Sequence, residues 1–267
     1  MSNGETIVAS ALILATGSEP IQHAPPPELK VQNLNLDLIL KPSDLKRHVP
    51  EEATVAVVGS SHSAILALRN LIDADRKVMN FYRSELKYAE YMDGWILYDN
   101  TGLKGIAADW ARDTMPKLLL PSAGGAPNGP PNRKMERIRL SADAKEEAAL
   151  YAKHLPLCTH ICYAIGYARS ALPTLTLEGR PVSADMAFDN LTGRFVLPSP
   201  SSSLSSSSSS SGVDDTKQTV PALFGCGIAF PERVTDRAGN VEYAVGLWKF
   251  MHFVNRVSPA WIASVRP

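Results

Sequence analysis

The chain of 267 residues lacks an excess of either charge, since it has 27 basic and 27 acidic residues and a formal net charge of zero. Charge-driven binding to nucleic acid or anionic membranes needs a basic excess, so neither partner is expected. No apolar run approaches the roughly 20 residues that a membrane-spanning helix requires. Residues 1–5 carry no basic start ahead of an apolar stretch, so we expect no secretory signal and predict a cytoplasmic protein.

Cysteine is also scarce, because Cys158, Cys162 and Cys226 are the three in the sequence and no two form a Cys-x-x-Cys pair. This odd number predicts reduced thiols and argues against a disulfide reductase. Cys158, His160 and Cys162 alternate on one face of a predicted strand and are residue types that can bind zinc. Their spacing matches no common zinc pattern, and buried cysteine usually serves as a small apolar residue, so we predict no metal site.

Several catalytic motifs are absent. The sequence has no Walker A motif, and no tyrosine has a lysine four residues later, as a short-chain dehydrogenase would require. The hydrolase elbow G-x-S-x-G fails because Ser63 stands where its second glycine should be. No motif marks a general acid or base, so the catalytic residues stay unassigned and the expected small-molecule substrate stays unidentified.

The sequence does contain three apolar runs that each end at a glycine, at residues 11–17, 55–59 and 161–166. A glycine at the end of a strand lets the backbone approach a ligand closely. The second run is apolar throughout, as in a strand buried on both faces of a parallel sheet. Helical spacing over 63–74 and a further strand over 77–83 complete a βαβ unit, which predicts an α/β fold with a Rossmann-like parallel sheet.

The turn after the second run resembles the dinucleotide-binding fingerprint G-x-G-x-x-G/A. Gly59 and Ala64 match its first and last positions, and Ser61 replaces the middle glycine. The N–H groups of residues 61–64 would point at an anion, although an ordinary tight turn has the same form. His62 could contact a nicotinamide or ribose, or simply cap the helix or face solvent. The candidate binding residues of this turn are Gly59, Ser60, Ser61, His62 and Ser63.

Arg83 is the last residue of the next predicted strand, 24 positions after Gly59, and Ser84 comes directly after it. An NAD site has a carboxylate at this position for the ribose hydroxyls, whereas an NADP site has an arginine for the 2′-phosphate. The basic residue favours NADP(H), although a solvated surface arginine is the alternative. Arg83 and Ser84 are therefore candidate NADP(H)-binding residues.

The ordered set of motifs resembles a known superfamily. Its parts are ALILATGSEP at 11–20, VAVVGSSHSA at 55–64, FYRS at 81–84, ICYAIGYARSALP at 161–173 and LFGCGIAFPE at 223–232. Together they are similar to the two-domain flavoproteins that bind FAD and NAD(P), and especially to flavin-dependent monooxygenases. The resemblance implies an FAD-dependent oxidoreductase, monooxygenase-like, with NADPH as hydride donor and with FAD and NADP as cofactors.

The resemblance also implies site residues. Those that would contact NADPH are the turn residues together with Arg83 and Ser84. Those that would face the flavin are Thr16, Gly17, Gly166, Gly225, Gly227 and Ile228. Cys226 departs from the family, because many members have an aspartate there.

A larger departure is the missing FAD fingerprint. In the superfamily a glycine-rich first strand lies far upstream of the Ala-Thr-Gly strand, but here ten residues precede Ala11. The resemblance therefore implies a truncated form whose FAD phosphate cradle lies on an upstream segment or a partner chain. Two other functions stay open, namely a non-catalytic nucleotide-binding remnant and a flavin-independent NADP-dependent dehydrogenase.

The expected domains are an inserted NADP(H)-binding domain at 53–158 and two partial FAD-domain segments at 1–52 and 159–267. The second segment includes a serine-rich loop at 199–212 that we expect to be disordered. Residues 121–133 are rich in proline and glycine and predict a loop.

Local patterns give three further expectations. Residues 141–154 predict a helix with Ser141 as its N-cap. Residues 186–197 predict a hairpin that turns at 189–193. The apolar spacing after Asn240 predicts a final helix capped by that residue and including Val241.

Overall fold

The computed structural model describes residues 6–25, 29–119, 134–183, 185–197 and 218–265. The chain forms two compact units. The inserted unit comprises Pro20–Ala168 and Asp236–Ala238, and the flanking unit comprises Met1–Glu19, Arg169–Thr235 and Gly239–Pro267. The loop expected at 121–133 and the serine-rich loop expected at 199–212 lie outside the described residues.

Strands and helices are mixed along residues 32–163, whereas the strands from 160 to 244 follow one another with no α-helix between them among the described residues. The strands are β1 Leu12–Leu14, β2 Ser18–Pro20, β3 Gln32–Leu34, β4 Thr54–Val58, β5 Lys77–Tyr82, β6 Glu90–Met92, β7 Trp95–Leu97, β8 Met135–Arg139, β9 His160–Tyr163, β10 Tyr167–Arg169, β11 Thr176–Leu177, β12 Arg180–Pro181, β13 Ala187–Asp189, β14 Arg194–Leu197, β15 Gln218–Gly225, β16 Glu232–Thr235 and β17 Val241–Ala244. The α-helices are α1 Leu36–Ile39, α2 Pro42–His48, α3 His62–Asp73, α4 Gly105–Asp113, α5 Met115–Leu119, α6 Ala144–His154 and α7 Leu247–Val265.

A five-stranded sheet in the order β3-β9-β4-β5-β8 organises the inserted unit. Every neighbouring pair in it is parallel. Val58 at the end of β4 pairs with Phe81 of β5 and Tyr163 of β9, so these strands end at the same edge. The predicted α/β class with a parallel sheet is confirmed.

Both faces of this sheet are buried, as the continuous apolar run of β4 predicts. Val55 and Val57 of β4 belong to a core that includes the apolar face of α3. Ala56 and Val58 point to the opposite core, where Tyr151 of α6 packs. Successive side chains of a strand alternate between its two faces, so one apolar run supplies both cores.

The inserted unit is larger than the predicted NADP(H) domain of residues 53–158. Strand β9 lies between β3 and β4, so residues 32–34 and 160–163 belong to the same sheet as the βαβ unit. Both stretches fall in the predicted partial FAD-domain segments at 1–52 and 159–267. The strand pairing of distant segments is a tertiary property, which explains the difference. The cofactor assignment of each unit stays a prediction.

The flanking unit has a four-stranded sheet in the order β1-β15-β14-β13. β1 and β15 are parallel, whereas the other neighbours are antiparallel. β13 and β14 form the hairpin predicted over 186–197. Helix α7 buries Phe253, Val257 and Trp261, and the Trp261 ring stacks on Phe224 of β15 at a centroid distance of 4.7 Å.

Two local predictions are wrong in detail. Helix α6 begins at Ala144 and is capped by the side chain of Asp143, which accepts hydrogen bonds from the Lys145 and Glu146 N–H groups. The Ser141 hydroxyl instead accepts from the Asp143 N–H. The final helix starts at Leu247, because residues 241–244 form strand β17 and pair with β16. Backbone pairing with β16 stabilises a strand at 241–244 in spite of the helical spacing of the apolar residues.

Within the described residues, no helix is both long enough and apolar enough to cross a membrane.

Candidate functional site

The turn that follows β4 places a glycine where no other residue fits without strain. Gly59 has a φ of +135°, and its N–H donates to the Phe81 carbonyl at 2.8 Å. A Cβ at Gly59 would lie 2.3 Å from the Ala164 carbonyl oxygen. The glycine therefore allows the turn to approach the backbone beyond β9, which explains the first position of the fingerprint.

The buried side chain of Asn80 holds the same turn in place through hydrogen bonds to its backbone. The Asn80 side-chain amide donates to the carbonyls of Val57 at 3.1 Å and Gly59 at 2.8 Å, and its oxygen accepts from Arg137 Nε at 3.0 Å. Asn80 is fully buried, and Arg137 lies over the Tyr82 ring at 3.8 Å. This network connects β4, β5 and β8 at the edge where their strands end.

Helix α3 starts directly after the turn. Ser61 is its N-cap residue, but the Ser61 side chain makes no capping hydrogen bond. His62 is the first helical residue, and partial burial together with the nearby Lys104 lowers its pKa. A neutral imidazole is therefore favoured at neutral pH. The Tyr167 hydroxyl donates to Asp37 at 3.3 Å, and burial together with Asp37 raises the Tyr167 pKa, an effect that Ser63 partly offsets.

At the end of β5, Arg83 contacts helix α6. Its Nη2 atom lies 2.8 Å and 2.9 Å from the two carboxylate oxygens of Glu147. This ion pair raises the pKa of Arg83. The Arg83 side chain is 70% exposed, whereas that of Glu147 is 17% exposed. The guanidinium therefore lies at the surface while its partner is held against the protein.

A cavity of about 890 Å³ opens beside this pair, within the inserted unit. Phe81 and Tyr151 stack in its wall at a centroid distance of 5.1 Å, and His23 meets Tyr163 edge to face at 5.3 Å. Burial, with a contribution from Glu147, raises the pKa of Tyr151 to about 12. The polar and turn residues of the lining are His23, Gly59, Ser60, Arg83, Ser84, Glu147, Tyr151 and Tyr163.

A second cavity, of about 730 Å³, is also lined by Arg83, together with the carboxylate-bearing Glu146. Arg139 and Lys153 line it and add two further cations. Arg139 lies 3.4 Å from Glu85 in an exposed ion pair. Arg83 thus lines both an apolar cavity and a more basic one, an arrangement that suits an aromatic ring joined to an anionic group.

Another group of candidate residues lies at the carboxyl edge of the flanking sheet. Leu14 of β1 pairs with Gly225 of β15, and the Cys226 N–H donates to the Leu14 carbonyl at 3.0 Å. Thr16 and Gly17 therefore follow one strand where Gly227 and Ile228 follow its parallel neighbour. The structure brings these candidates together at an edge where α/β proteins commonly bind ligands.

The structural reason for a glycine differs from one position of this edge to the next. A Cβ at Gly225 would lie 2.8 Å from the Phe230 ring, so packing accounts for that glycine. Gly227 has a φ of +81° and open space around it. The Thr16 hydroxyl is buried without a hydrogen-bond partner among the described residues. Gly166 belongs to the inserted unit, where its carbonyl accepts from the Ile21 N–H at 3.0 Å.

The cysteine and histidine cluster forms no metal site in the part of the chain that the structure describes. Cys158 packs in the α6-side core, whereas Cys162 packs in the α3-side core. The prediction that both share one strand face is therefore wrong, because Cys158 precedes β9 and lies outside its alternation. His160 donates to or accepts from the Thr159 hydroxyl at 2.8 Å.

The thiols provide a direct test of this packing. Burial raises the pKa values of Cys158 and Cys162 to about 12, and it also raises that of the half-buried Cys226. At pH 8 the first two thiols stay protonated and enclosed, so we expect Ellman's reagent to modify Cys226 alone in the native protein and all three thiols in guanidinium chloride. Cys226→Ser is the control and should abolish the native reaction. Rapid native modification of this variant would contradict the packing.

Comparison with known proteins adds one strong likeness. No family model matches the chain. The chain is 47% identical over 267 residues to a curated protein from Paecilomyces divaricatus named Monooxygenase AgnR1, and the match covers 97% of this chain and 61% of that protein. The chain thus spans about three fifths of the length of this relative.

Among solved structures, the chain is similar to the crystal structure of reduced Bacillus anthracis CoADR-RHD. The identity is 12% and the TM-score is 0.44, and the match covers 97% of this chain and 39% of that chain. These values are too low to support a statement about fold or function, so the α/β class rests on the strand pairing described above.

The structure collects part of the predicted nucleotide site in one place. Gly59, Ser60, Arg83 and Ser84 line the first cavity, whereas Ser61, His62 and Ser63 lie at the start of α3 and are not among its lining residues. Sequence reasoning missed Glu147 and Tyr151, which are one helical turn apart on α6. Their spacing of four residues was the available signal, since it puts both on one helix face.

Proposed function

We propose that this chain is the NADP(H)-binding part of an FAD-dependent, monooxygenase-like oxidoreductase that takes hydride from NADPH. The observation that carries the proposal is the shared position of Gly59, Ser60, Arg83 and Ser84 around one cavity at the carboxyl ends of β4 and β5. In open α/β sheets, ligands bind in the crevice outside these strand ends.

The residues present fit NADP(H). A volume of about 890 Å³ lies within the usual range of ligand pockets, and the stacked rings of Phe81 and Tyr151 suit an adenine. The N-terminus of the 12-residue helix α3 lacks a side-chain cap and suits the pyrophosphate. Arg83, with Arg139 and Lys153 in the adjoining cavity, supplies cations for a 2′-phosphate.

The residues present fit FAD in part. Thr16, Gly17, Gly227 and Ile228 form an edge that suits the flavin side, and the partnerless Thr16 hydroxyl suits a polar group of a ligand. In the described part of the flanking unit, however, no helix directly follows β1 or β15, so no strand-to-helix turn is available for the FAD phosphates. We propose that another segment or a partner chain supplies those contacts.

The sequence relative supports the monooxygenase part of the proposal. The protein named Monooxygenase AgnR1 is 47% identical to this chain in an alignment that covers 97% of the chain. When bound, FAD would accept hydride from NADPH and pass electrons to an acceptor. The residues of this chain would bind and orient the NADPH.

The proposal is tested by titrating the full chain with NADP⁺ and with NAD⁺ in a calorimeter. We expect NADP⁺ to bind at least tenfold more tightly. Arg83→Gln should weaken NADP⁺ binding by about 10- to 100-fold and leave NAD⁺ binding unchanged, because a charge-assisted hydrogen bond contributes about 1.5–3 kcal/mol.

Arg69→Gln is the matched control for this titration. Arg69 lies on α3 in an exposed ion pair with Asp73 and is absent from the lining of both cavities. Its replacement removes the same charge from the same unit and should leave both affinities unchanged. The proposal fails if neither nucleotide binds the wild-type chain, or if Arg83→Gln weakens both nucleotides equally.

A further inference from the structure

The ion pair between Arg83 and Glu147 involves the residue on which the proposed NADP(H) selectivity depends. One nitrogen, Nη2, contacts both carboxylate oxygens, at 2.8 Å and 2.9 Å. Both residues also line the cavity beside the Gly59 turn. In this state an anionic ligand group that approaches Arg83 meets a guanidinium whose charge is already balanced.

Glu147 is the fixed member of the pair. It lies in the first turn of α6, where the helix dipole favours a negative charge, and its side chain is 17% exposed. Asp143 caps the same helix end through two hydrogen bonds and holds that turn in place. The carboxylate is therefore held beside the cavity whether or not Arg83 is in contact with it.

Arg83 is the more exposed member, with 70% of its side chain exposed. Exposed ion pairs contribute little stability, so the guanidinium can leave Glu147 at small cost. A 2′-phosphate bound at Arg83 would then lie close to the Glu147 carboxylate, and like charges at such a distance repel each other. A ribose with a free 2′-hydroxyl would meet no such repulsion.

We propose that Glu147 is a specificity-determining residue that limits the preference of this site for 2′-phosphorylated nucleotides. It does so by balancing the charge of Arg83 and by repelling the 2′-phosphate that Arg83 attracts. This inference rests on the proposed function, since it concerns the same site. It predicts that the wild-type preference for NADP(H) is smaller than Arg83 alone would produce.

The test measures the affinities of adenosine 2′,5′-bisphosphate and adenosine 5′-monophosphate for the full chain and for Glu147→Gln. We expect the variant to bind the bisphosphate roughly fivefold more tightly, a change in line with one weak charge interaction, and the monophosphate unchanged. Glu52→Gln is the matched control. It removes the same charge from the same unit, but Glu52 is exposed, precedes β4 and is absent from the lining of both cavities.

The outcomes separate this inference from the proposed function. A selective gain for Glu147→Gln with no change for Glu52→Gln supports the inference. A weaker or unchanged affinity for the bisphosphate in Glu147→Gln, with wild type still preferring the bisphosphate, overturns the inference and keeps the proposed function. If wild type does not prefer the bisphosphate and Glu147→Gln does not create a preference, both are overturned.

Discussion

Replacement of Gly59 by alanine is expected to lower the free energy of unfolding by about 2–6 kcal/mol. The φ of +135° is a conformation that residues with a side chain rarely adopt, and such strain costs about 1–3 kcal/mol. The added Cβ would also lie 2.3 Å from the Ala164 oxygen, and overpacking against a fixed group costs about 1–3 kcal/mol more. Urea unfolding followed by circular dichroism measures the change.

The control for this substitution is Gly94→Ala. Gly94 lies in the turn between β6 and β7 with a φ of +72°, and a Cβ there would meet nothing within 4 Å. This variant places a side chain at a positive φ without a clash against backbone atoms. We therefore expect a smaller loss in the free energy of unfolding, of about 1 kcal/mol. Equal losses for the two variants would contradict the close approach of the Gly59 turn to Ala164.

Replacement of Asn80 by alanine is expected to lower the free energy of unfolding by about 2–4 kcal/mol. The change removes three hydrogen bonds, a buried one to Val57 and two partly buried ones to Gly59 and Arg137. Arg137 would lose a partner while one of its terminal nitrogens already lacks one, and unsatisfied buried groups cost about 1–3 kcal/mol each. Burial already lowers the Arg137 pKa, so this guanidinium is poorly solvated.

Asn33→Ala provides the comparison for Asn80. Asn33 lies on β3 of the same sheet, but its side-chain amide makes exposed hydrogen bonds with Gln22 and the His23 carbonyl. Water can replace these partners, so we expect a change within about 0.5 kcal/mol. Thermal unfolding of both variants under one condition checks the difference. A small effect at Asn80 would show that its network does not hold the Gly59 turn.

The two cavities explain why one arginine can matter for the proposed activity. Arg83 directly follows β5, a strand whose apolar residues are evident in the sequence and whose predicted range of 77–83 is one residue longer than the observed one. Its partner Glu147 lies 64 residues further along the chain. The contact between the two residues depends on the pairing of β8 with β5 and on the position of α6 after β8. A local sequence pattern therefore could not predict it.

Local signals in the sequence are enough to predict the βαβ unit of β4, α3 and β5. A strand that is apolar at every position, a small-residue turn and helical spacing are local signals, and each requires no knowledge of distant residues. The hairpin of β13 and β14 was predictable for the same reason, since its turn and strands are contiguous.

Which distant segments complete each sheet depends on long-range backbone pairing, which is visible only in the tertiary structure. Strands β3 and β9 joined β4 through parallel backbone pairing, and β17 formed in a stretch with helical spacing because β16 provided its hydrogen bonds. Such pairing depends on long-range partners rather than on local propensity. The same cause brought Glu147 to Arg83, because the sheet holds the ends of β5 and the start of α6 at one edge.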